Sequence, residues 1–156
     1  MKSGLLVFLA AMTPFVELKL AIPLGLSMGL SKTTTVIFGI FGTILPTALG
    51  RAIAEPASAW MRKHSKIMDR FFAHLFEKTR DKHRERFEKY GFIFLFFFVA
   101  IPLPGSGAAM GALISFLFNA DYWKTISVCT VGTVVAAGLL VTGFDSIFKL
   151  LEALAA

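Results

Sequence analysis

The chain has 156 residues, of which 56% are hydrophobic and 17% are charged, and its mean hydropathy is +0.71. This composition excludes a soluble globular fold, and the length allows a single domain. The net charge of +6 would be typical of a nucleic-acid-binding protein if the chain were soluble. Here the basic residues flank apolar segments, so they match anionic lipid head groups, and we expect no nucleic-acid partner.

Five runs without a charged residue alternate with polar segments along the chain. Two of these runs are long enough to cross about 30 Å of hydrocarbon as one helix, which takes about 20 residues, and we predict them as transmembrane helices. The other runs are too short for one span or, at 30 residues, too long for it. The five runs cover residues 3–16, 20–31, 33–50, 91–120 and 125–144, and the third and fifth are the predicted spans.

The remaining apolar segments form two pairs, each divided by a break. The first break is Glu17-Leu18-Lys19, and the second is the segment 102–107, which has two prolines without an N–H and two glycines that allow tight turns. Arms of 11 to 14 residues cover little more than half of the membrane as helices. We predict two re-entrant hairpins, whose irregular backbone must be buried in protein or line a wet cavity. The alternative for each is one long, kinked and tilted span.

The order of one hairpin and one span occurs twice, which predicts an internal repeat. The tetrapeptide Ala-Ile-Pro-Leu occurs at 21–24 and 100–103, while the spans match at an offset of 90, so the two registers require an insertion. The span matches include Thr35 with Thr125, Gly42 with Gly132 and Thr43 with Thr133. Because a hairpin returns to its own side and a span crosses, we predict an all-α integral membrane protein of two inverted repeats. Its single membrane domain, 1–156, divides into a first repeat 1–50, a basic segment 51–90 and a second repeat 91–156.

The basic segment 51–90 holds eleven of the 16 Lys and Arg residues but only six of the 10 Asp and Glu residues. By the positive-inside rule we expect it to face the cytoplasm, with the protein in the cytoplasmic membrane. Apolar side chains recur at helical spacing from Trp60 to Phe76, which predicts an amphipathic helix on the membrane surface. Both termini then lie outside the cell, whereas a plain four-span bundle would place both in the cytoplasm.

Glu17 and Lys19 are the residues of the sequence that most clearly indicate a functional site. Fourteen helical residues rise about 21 Å, which places both charges inside the hydrocarbon, where a charge must be paired or face water. Intramembrane ionisable residues typically mark a transport path or a proton-coupling site, so we predict Glu17 as a coupling site. The structural alternative is an ion pair that locks the arms of the hairpin.

The breaks also predict an anion site. Ser106 and the free N–H groups after it form the start of a half-helix, which favours an anion, and a second half-helix starts beside Lys19. The alternative is that each Pro/Gly cluster is only a bend. Arg51 and Glu55 are candidates for a head-group access site or for interface anchors. The candidate substrate- and ion-binding residues are Glu17, Lys19, Pro23, Arg51, Glu55, Pro102, Pro104, Gly105, Ser106 and Gly107.

No catalytic or metal site is predicted. Gly105-Ser106-Gly107 has the form of a nucleophile elbow, but no strand precedes it and no His or Asp lies near it. The three histidines lie in the basic segment without metal-ligand spacing, and the single cysteine, Cys129, excludes a thiolate cluster. We expect a transporter without a cofactor rather than an enzyme.

The motifs Glu17 to Gly25 (ELKLAIPLG) and Ala100 to Gly107 (AIPLPGSG), with the basic middle segment, resemble the small multi-drug export protein family. This family is similar to the DedA/VTT superfamily. The resemblance implies paired re-entrant hairpins, a homodimer, and lipid scrambling or the recycling of undecaprenyl phosphate by proton- or ion-coupled flipping. The two arginines of the DedA pattern in the second hairpin have no counterpart here, which leaves Lys19 as the buried cation.

Three functional hypotheses follow. The first is an ion- or proton-coupled transporter or flippase for a lipid-linked anion such as a polyprenyl phosphate. The second is a proton-coupled exporter of lipophilic cations through Glu17, and the third is a structural membrane protein without cargo. The expected partners are a membrane lipid or lipophilic substrate, a proton or sodium ion, and a second copy of the chain. Gly39, Thr43 and Thr47 form a close-packing face, either for that dimer or within one protomer.

Overall fold

The structure is a computed structural model that describes residues 2–13, 16–64, 89–103 and 105–155, together with residues 70, 73, 74, 77 and 87. The described residues are helical apart from short connections and contain no strand, which confirms the all-α class. The helices are α1 (Lys2–Met12), α2 (Glu17–Ser27), α3 (Lys32–His64), α4 (Lys89–Ala100), α5 (Ala108–Leu117) and α6 (Tyr122–Ala155).

The two long helices contain the segments that are long and apolar enough to cross a membrane. These are Lys32–Ala54 of α3 and Tyr122–Ser146 of α6, which confirms the two predicted spans with slightly wider ends. Only 28% of the apolar window of each span is buried, so most of its side chains face outward. On α3 one row of five exposed apolar side chains recurs every fourth residue, as on a helix in contact with lipid. They are Ile37, Phe41, Leu45, Leu49 and Ile53.

The short helices α1 and α2 fold back on each other. Val7 of α1 lies against Gly25 near the end of α2, and Ala11 shares a buried cluster with Ala21. In a continuous helix, residues 7 and 25 would lie about 27 Å apart. The contacts therefore make α1 and α2 an antiparallel pair and exclude one kinked helix over this segment.

The short helices α4 and α5 form a second antiparallel pair. Leu95 and Val99 of α4 lie against Gly111 of α5, and the Phe87 ring stacks on Phe118 with centroids 4.6 Å apart. The connection between the two helices contains the predicted Pro/Gly break. Both pairs thus turn at one end, which we call the tip: the connection between Met12 and Glu17 in the first pair and the connection between Ala100 and Ala108 in the second.

The two long helices run antiparallel. Lys32 at the start of α3 forms an ion pair with Asp145 of α6, and Tyr122 at the start of α6 donates a hydrogen bond to the Ala48 carbonyl at 3.2 Å. The first short helix of each half packs against a glycine that lies ten residues after the start of the long helix of that half. A Cβ on Gly42 would lie 2.5 Å from the oxygen of Phe8, and one on Gly132 would lie 2.9 Å from the Cβ of Val99.

The turns that precede α3 and α6 have the same local structure. In each, a backbone N–H donates across five residues, at 3.1 and 2.8 Å, and one residue has a positive φ, of 75° and 54°. Each turn ends in a side chain that caps the next helix, with N–H to oxygen distances of 3.2 and 2.8 Å. The equivalent residues are separated by 90 positions: Gly25 and Ser115, Gly29 and Asn119, Leu30 and Ala120, Ser31 and Asp121.

Two sequence predictions fit this arrangement poorly. The two Ala-Ile-Pro-Leu copies are not equivalent, because 21–24 lies within α2 while 100–103 follows the end of α4. Helix α3 also continues through residue 51 to His64, so the first repeat and the basic segment join within one helix. The amphipathic helix predicted from Trp60 to Phe76 lies mostly outside the described residues.

Candidate functional site

The two tips meet beside the middle of the first apolar span. Gly107, next to the first residue of α5, lies so close to the Glu17 side chain that a Cβ would overlap the carboxylate. Thr43 lines the space beside this contact and lies eleven residues from either end of the span Lys32–Ala54. At 1.5 Å per residue, the tips therefore meet about 16 Å from each end of the span.

Glu17 binds the start of the opposite hairpin's second helix. It is the first residue of α2, has a φ of 41° and is only 7% exposed. Its Oε1 accepts a hydrogen bond from the Ala109 N–H at 3.2 Å. The first N–H groups of a helix lack partners within it and favour a negative charge. The sequence predicts a bound anion at this helix start, and the structure places the protein's own Glu17 there.

Lys19 also reaches the second hairpin. Its Nζ donates to the backbone carbonyls of Leu103 and Ser106. The Ser106 hydroxyl closes the same turn through hydrogen bonds of 2.8 Å to the carbonyls of Ile101 and Leu103. Within the described part of the chain there is no ion pair between Glu17 and Lys19. Both charges instead join the two hairpins, so the predicted lock between the arms of one hairpin is wrong.

A cavity of about 290 Å³ extends from Glu17 to the end of the first span, where Arg51 and Ala54 line it. Thr43 and Thr47 add hydroxyl groups to its wall. The rest of the wall is apolar and includes Ala11, Met12, Pro46, Ala112, Leu113 and Phe116. A buried carboxylate therefore lies at the inner end of a largely apolar cavity that reaches the depth of one membrane surface.

Arg51 is held at the other end of this cavity. It is only 5% exposed, its Nη2 donates to the Ala120 carbonyl at 2.8 Å, and its guanidinium lies 5.4 Å from the centroid of the Phe116 ring. A cation over an aromatic face is attracted by the ring. These contacts fix the guanidinium where α5 ends, and the Arg51 backbone lies about 12 Å further along α3 than that of Thr43.

A model of the family described as "Putative small multi-drug export protein" matches residues 17–139. The chain belongs to this family. The match begins at Glu17 and includes α2, α3, the second hairpin and α6 as far as Leu139. With the two apolar spans, membership identifies an integral membrane protein of an export family. No curated protein and no solved structure matches the chain.

In this family member, the predicted site residues fall into three groups. Those at the meeting tips are Glu17, Lys19, Pro102, Gly105, Ser106 and Gly107, and Arg51 lies at the far end of the cavity. Pro23 lies inside α2 and is not among the residues that line the cavity. Pro104 and the Glu55 side chain lie outside the described residues.

Two threonines of this family member belong to the site although the sequence points to neither as a binding residue. Thr43 is 3% exposed, and its Oγ1 has no hydrogen-bond partner in the described structure. Thr133, its equivalent at an offset of 90, is 2% exposed and lines the same small void beside Glu17. The sequence feature that could have identified them is that both are polar residues near the centre of an apolar span and match each other at the offset of 90.

Proposed function

We propose that this protein is a proton-coupled exporter of lipophilic cations, with Glu17 as the group that binds either the cation or the proton. The observation that carries the proposal is the position of the Glu17 carboxylate at the inner end of the apolar cavity. An ionisable residue at this depth in a membrane protein typically marks a substrate or proton path. The export family to which the chain belongs supports the same assignment.

Charge at the site favours a cationic substrate. Glu17 contributes a negative charge, and apolar walls suit a cation whose charge is surrounded by hydrocarbon. Lys19 already donates to two backbone carbonyls, and the start of α5 is bound by Glu17, so both predicted anion-binding groups are engaged by the protein itself. Arg51 lines the opposite end of the cavity, where its guanidinium already binds the Ala120 carbonyl and lies over the Phe116 ring.

Competition between a proton and the cation for the Glu17 carboxylate couples proton movement to cation export. A bound proton removes the charge that holds a cation, and a bound cation displaces the proton, so each passage of substrate requires a return of protons. Protonation also weakens the hydrogen bond from the Ala109 N–H, because a charged acceptor binds more strongly than a neutral one. The contact between the two tips then responds directly to the charge on Glu17.

The proposal includes two re-entrant hairpins in an inverted repeat, with the Arg51 end of the cavity facing the cytoplasm. The antiparallel long helices and the basic residues after Arg51 support this orientation. In the other half, the positions equivalent to Ala112 and Thr47 are Ile22 and Ala137, which lie in a packed apolar cluster. The cavity is therefore proposed to open to one side only. The homodimer and the similarity to the DedA/VTT superfamily stay predictions.

A second candidate, a flippase for a lipid-linked anion, is favoured by Arg51. The guanidinium lines the cavity at the depth of one membrane surface, where a phosphate head group would enter, and its planar fork suits phosphate. In this case Arg51 binds the head group and Glu17 binds only the coupling ion.

Purified protein in proteoliposomes distinguishes these functions. We expect an imposed pH gradient to drive accumulation of tetraphenylphosphonium, and we expect Glu17→Gln to abolish it. Glu77→Gln, which changes an exposed acid of the basic segment, is the matched control and should transport normally. Movement of a fluorescent polyprenyl phosphate without movement of the cation would favour the second candidate. Movement of neither compound would contradict a transport function for both.

A further inference from the structure

A second, much smaller void lies at the contact between the two tips. It measures about 10 Å³ and is lined by Glu17, Lys19, Thr43, Gly107 and Thr133, among others. A void of roughly 10 to 15 Å³ holds one water molecule when polar groups surround it. Glu17 and Thr43 line both this void and the larger cavity, so they lie at the boundary between the two.

The Thr43 hydroxyl points to a ligand at this boundary. Threonines in the long helices commonly donate to the carbonyl four residues earlier, as Thr47 and Thr133 do at 2.7 Å. Thr43 makes no such bond in the described structure although it is 3% exposed. Buried polar groups in proteins are nearly always hydrogen-bonded to protein or to ordered water. An unpartnered hydroxyl beside a carboxylate and a water-sized void therefore indicates a water-binding position.

We propose that one water molecule binds between the Thr43 hydroxyl and the Glu17 carboxylate, and that this water delivers the coupling proton from the cavity to Glu17. This inference rests on the proposed function, and it assigns the coupling ion as a proton. A hydronium in the cavity gives a proton to the bound water, which passes one of its protons to Glu17. The hydronium becomes water, the bound water is regenerated, and the carboxylate becomes the neutral acid.

The charged surroundings favour a proton over sodium. Lys19, from the same helix as Glu17, lines the small void but not the larger cavity in which the lipophilic cation is proposed to bind, and Arg51 of α3 lines the far end of that cavity. From α6 the titratable group near Glu17 is the buried Cys129 thiol, and α5 contributes none. A sodium ion in the void would be a second fixed cation beside the Lys19 ammonium, whereas a transferred proton neutralises Glu17 and leaves no added ion.

Thr43→Val tests the relay because it removes the hydroxyl and keeps the shape, while Thr43→Ser keeps the hydroxyl. Thr35→Val is the matched control, since Thr35 is an equally buried threonine of α3 with an unpartnered hydroxyl that lies against Gly25 and lines neither space. We expect Thr43→Val to slow proton-driven accumulation of tetraphenylphosphonium at least about tenfold, as the loss of a proton-transfer group does. Thr43→Ser and Thr35→Val should stay within about twofold of the unmodified protein, since both leave the proposed proton-transfer group in place. A sodium gradient alone should drive no accumulation.

Infrared difference spectroscopy tests for the same bound water molecule without a transport assay. The C=O stretch of protonated Glu17, assigned by its loss in Glu17→Gln, should shift soon after exposure of acidified protein to D₂O, and Thr43→Val should delay the shift. An unchanged exchange rate in Thr43→Val, or accumulation driven by sodium, would overturn the inference. If the cation is not transported but the exchange is slowed, the proposed function fails and the water site stands.

Discussion

Gly107→Ala tests the contact between the two hairpin tips. Gly107 has a φ of 141° and a ψ of 177°, a region that is essentially restricted to glycine. An alanine Cβ at this position would also overlap the Glu17 carboxylate. The strain costs about 1 to 3 kcal/mol, and the overlap adds about 1 to 3 kcal/mol because the tips must move apart. We therefore expect a loss of about 2 to 6 kcal/mol in the free energy of unfolding.

The matched control is Gly105→Ala in the same turn. Gly105 also has a positive φ, of 78°, but no atom lies within 4 Å of the position that a methyl group would occupy, so only the strain of about 1 to 2 kcal/mol applies. A second control removes the Glu17 carboxylate instead of changing the glycine. In a Glu17→Ala background the overlap disappears, and Gly107→Ala should then cost only its strain, which gives a coupling energy of about 1 to 3 kcal/mol between the two positions.

The assay is reversible denaturation of the purified protein in mixed micelles, followed by circular dichroism. Four proteins form the cycle: the unmodified chain, each single variant at positions 17 and 107, and the double variant. The reasoning is refuted if Gly107→Ala costs no more than Gly105→Ala, or if its cost is the same with and without the Glu17 carboxylate. Either result would mean that the tips do not meet at these two residues.

Three further predictions concern the helices around the site. Gly42→Ala places a methyl 2.5 Å from a backbone oxygen of α1 and should lower the free energy of unfolding by about 1 to 3 kcal/mol, whereas Gly138→Ala meets no atom and should not destabilise. The exposed pair of Lys32 and Asp145 should give a coupling energy below about 1 kcal/mol in a double-mutant cycle, and a larger value would show that the pair is shielded from water. Cys129 is 0% exposed and should react with N-ethylmaleimide only after unfolding, so that rapid labelling of the native protein would contradict this packing.

The long helices and the second break could be predicted because their signals are local. A run of about 20 apolar residues identifies a span, and the Pro/Gly segment before α5 identifies an interruption. The first break is harder to place. The sequence predicts it at Glu17 to Lys19 because these are the polar residues, but Glu17 begins α2 and Lys19 lies within this helix. The carboxylate is stabilised at that position by Ala109, 92 residues away, which no local pattern indicates.

The need of Glu17 and Lys19 for polar partners could be predicted from the sequence, but the identity of those partners could not. An acid and an amine in an apolar segment need polar partners or water in any fold that buries them. Glu17 and Lys19 can therefore be recognised from the sequence alone. The sequence assigns Lys19 to a substrate anion, whereas it donates to the carbonyls of Leu103 and Ser106. The free hydroxyl of Thr43 depends on its rotamer and on packing between the halves, and neither follows from composition or periodicity.

The separation of these partners along the chain constrains how the protein is made. The groups that bind Glu17 and Lys19 lie 84 to 92 residues further on. At a synthesis rate of about 5 to 20 residues per second, they emerge about 4 to 18 s after the start of α2. During this interval the first hairpin carries an acid and an amine whose partners have not yet been made, which opposes its burial in hydrocarbon. We therefore expect the first hairpin to be buried in the bilayer only after the second hairpin has been synthesised.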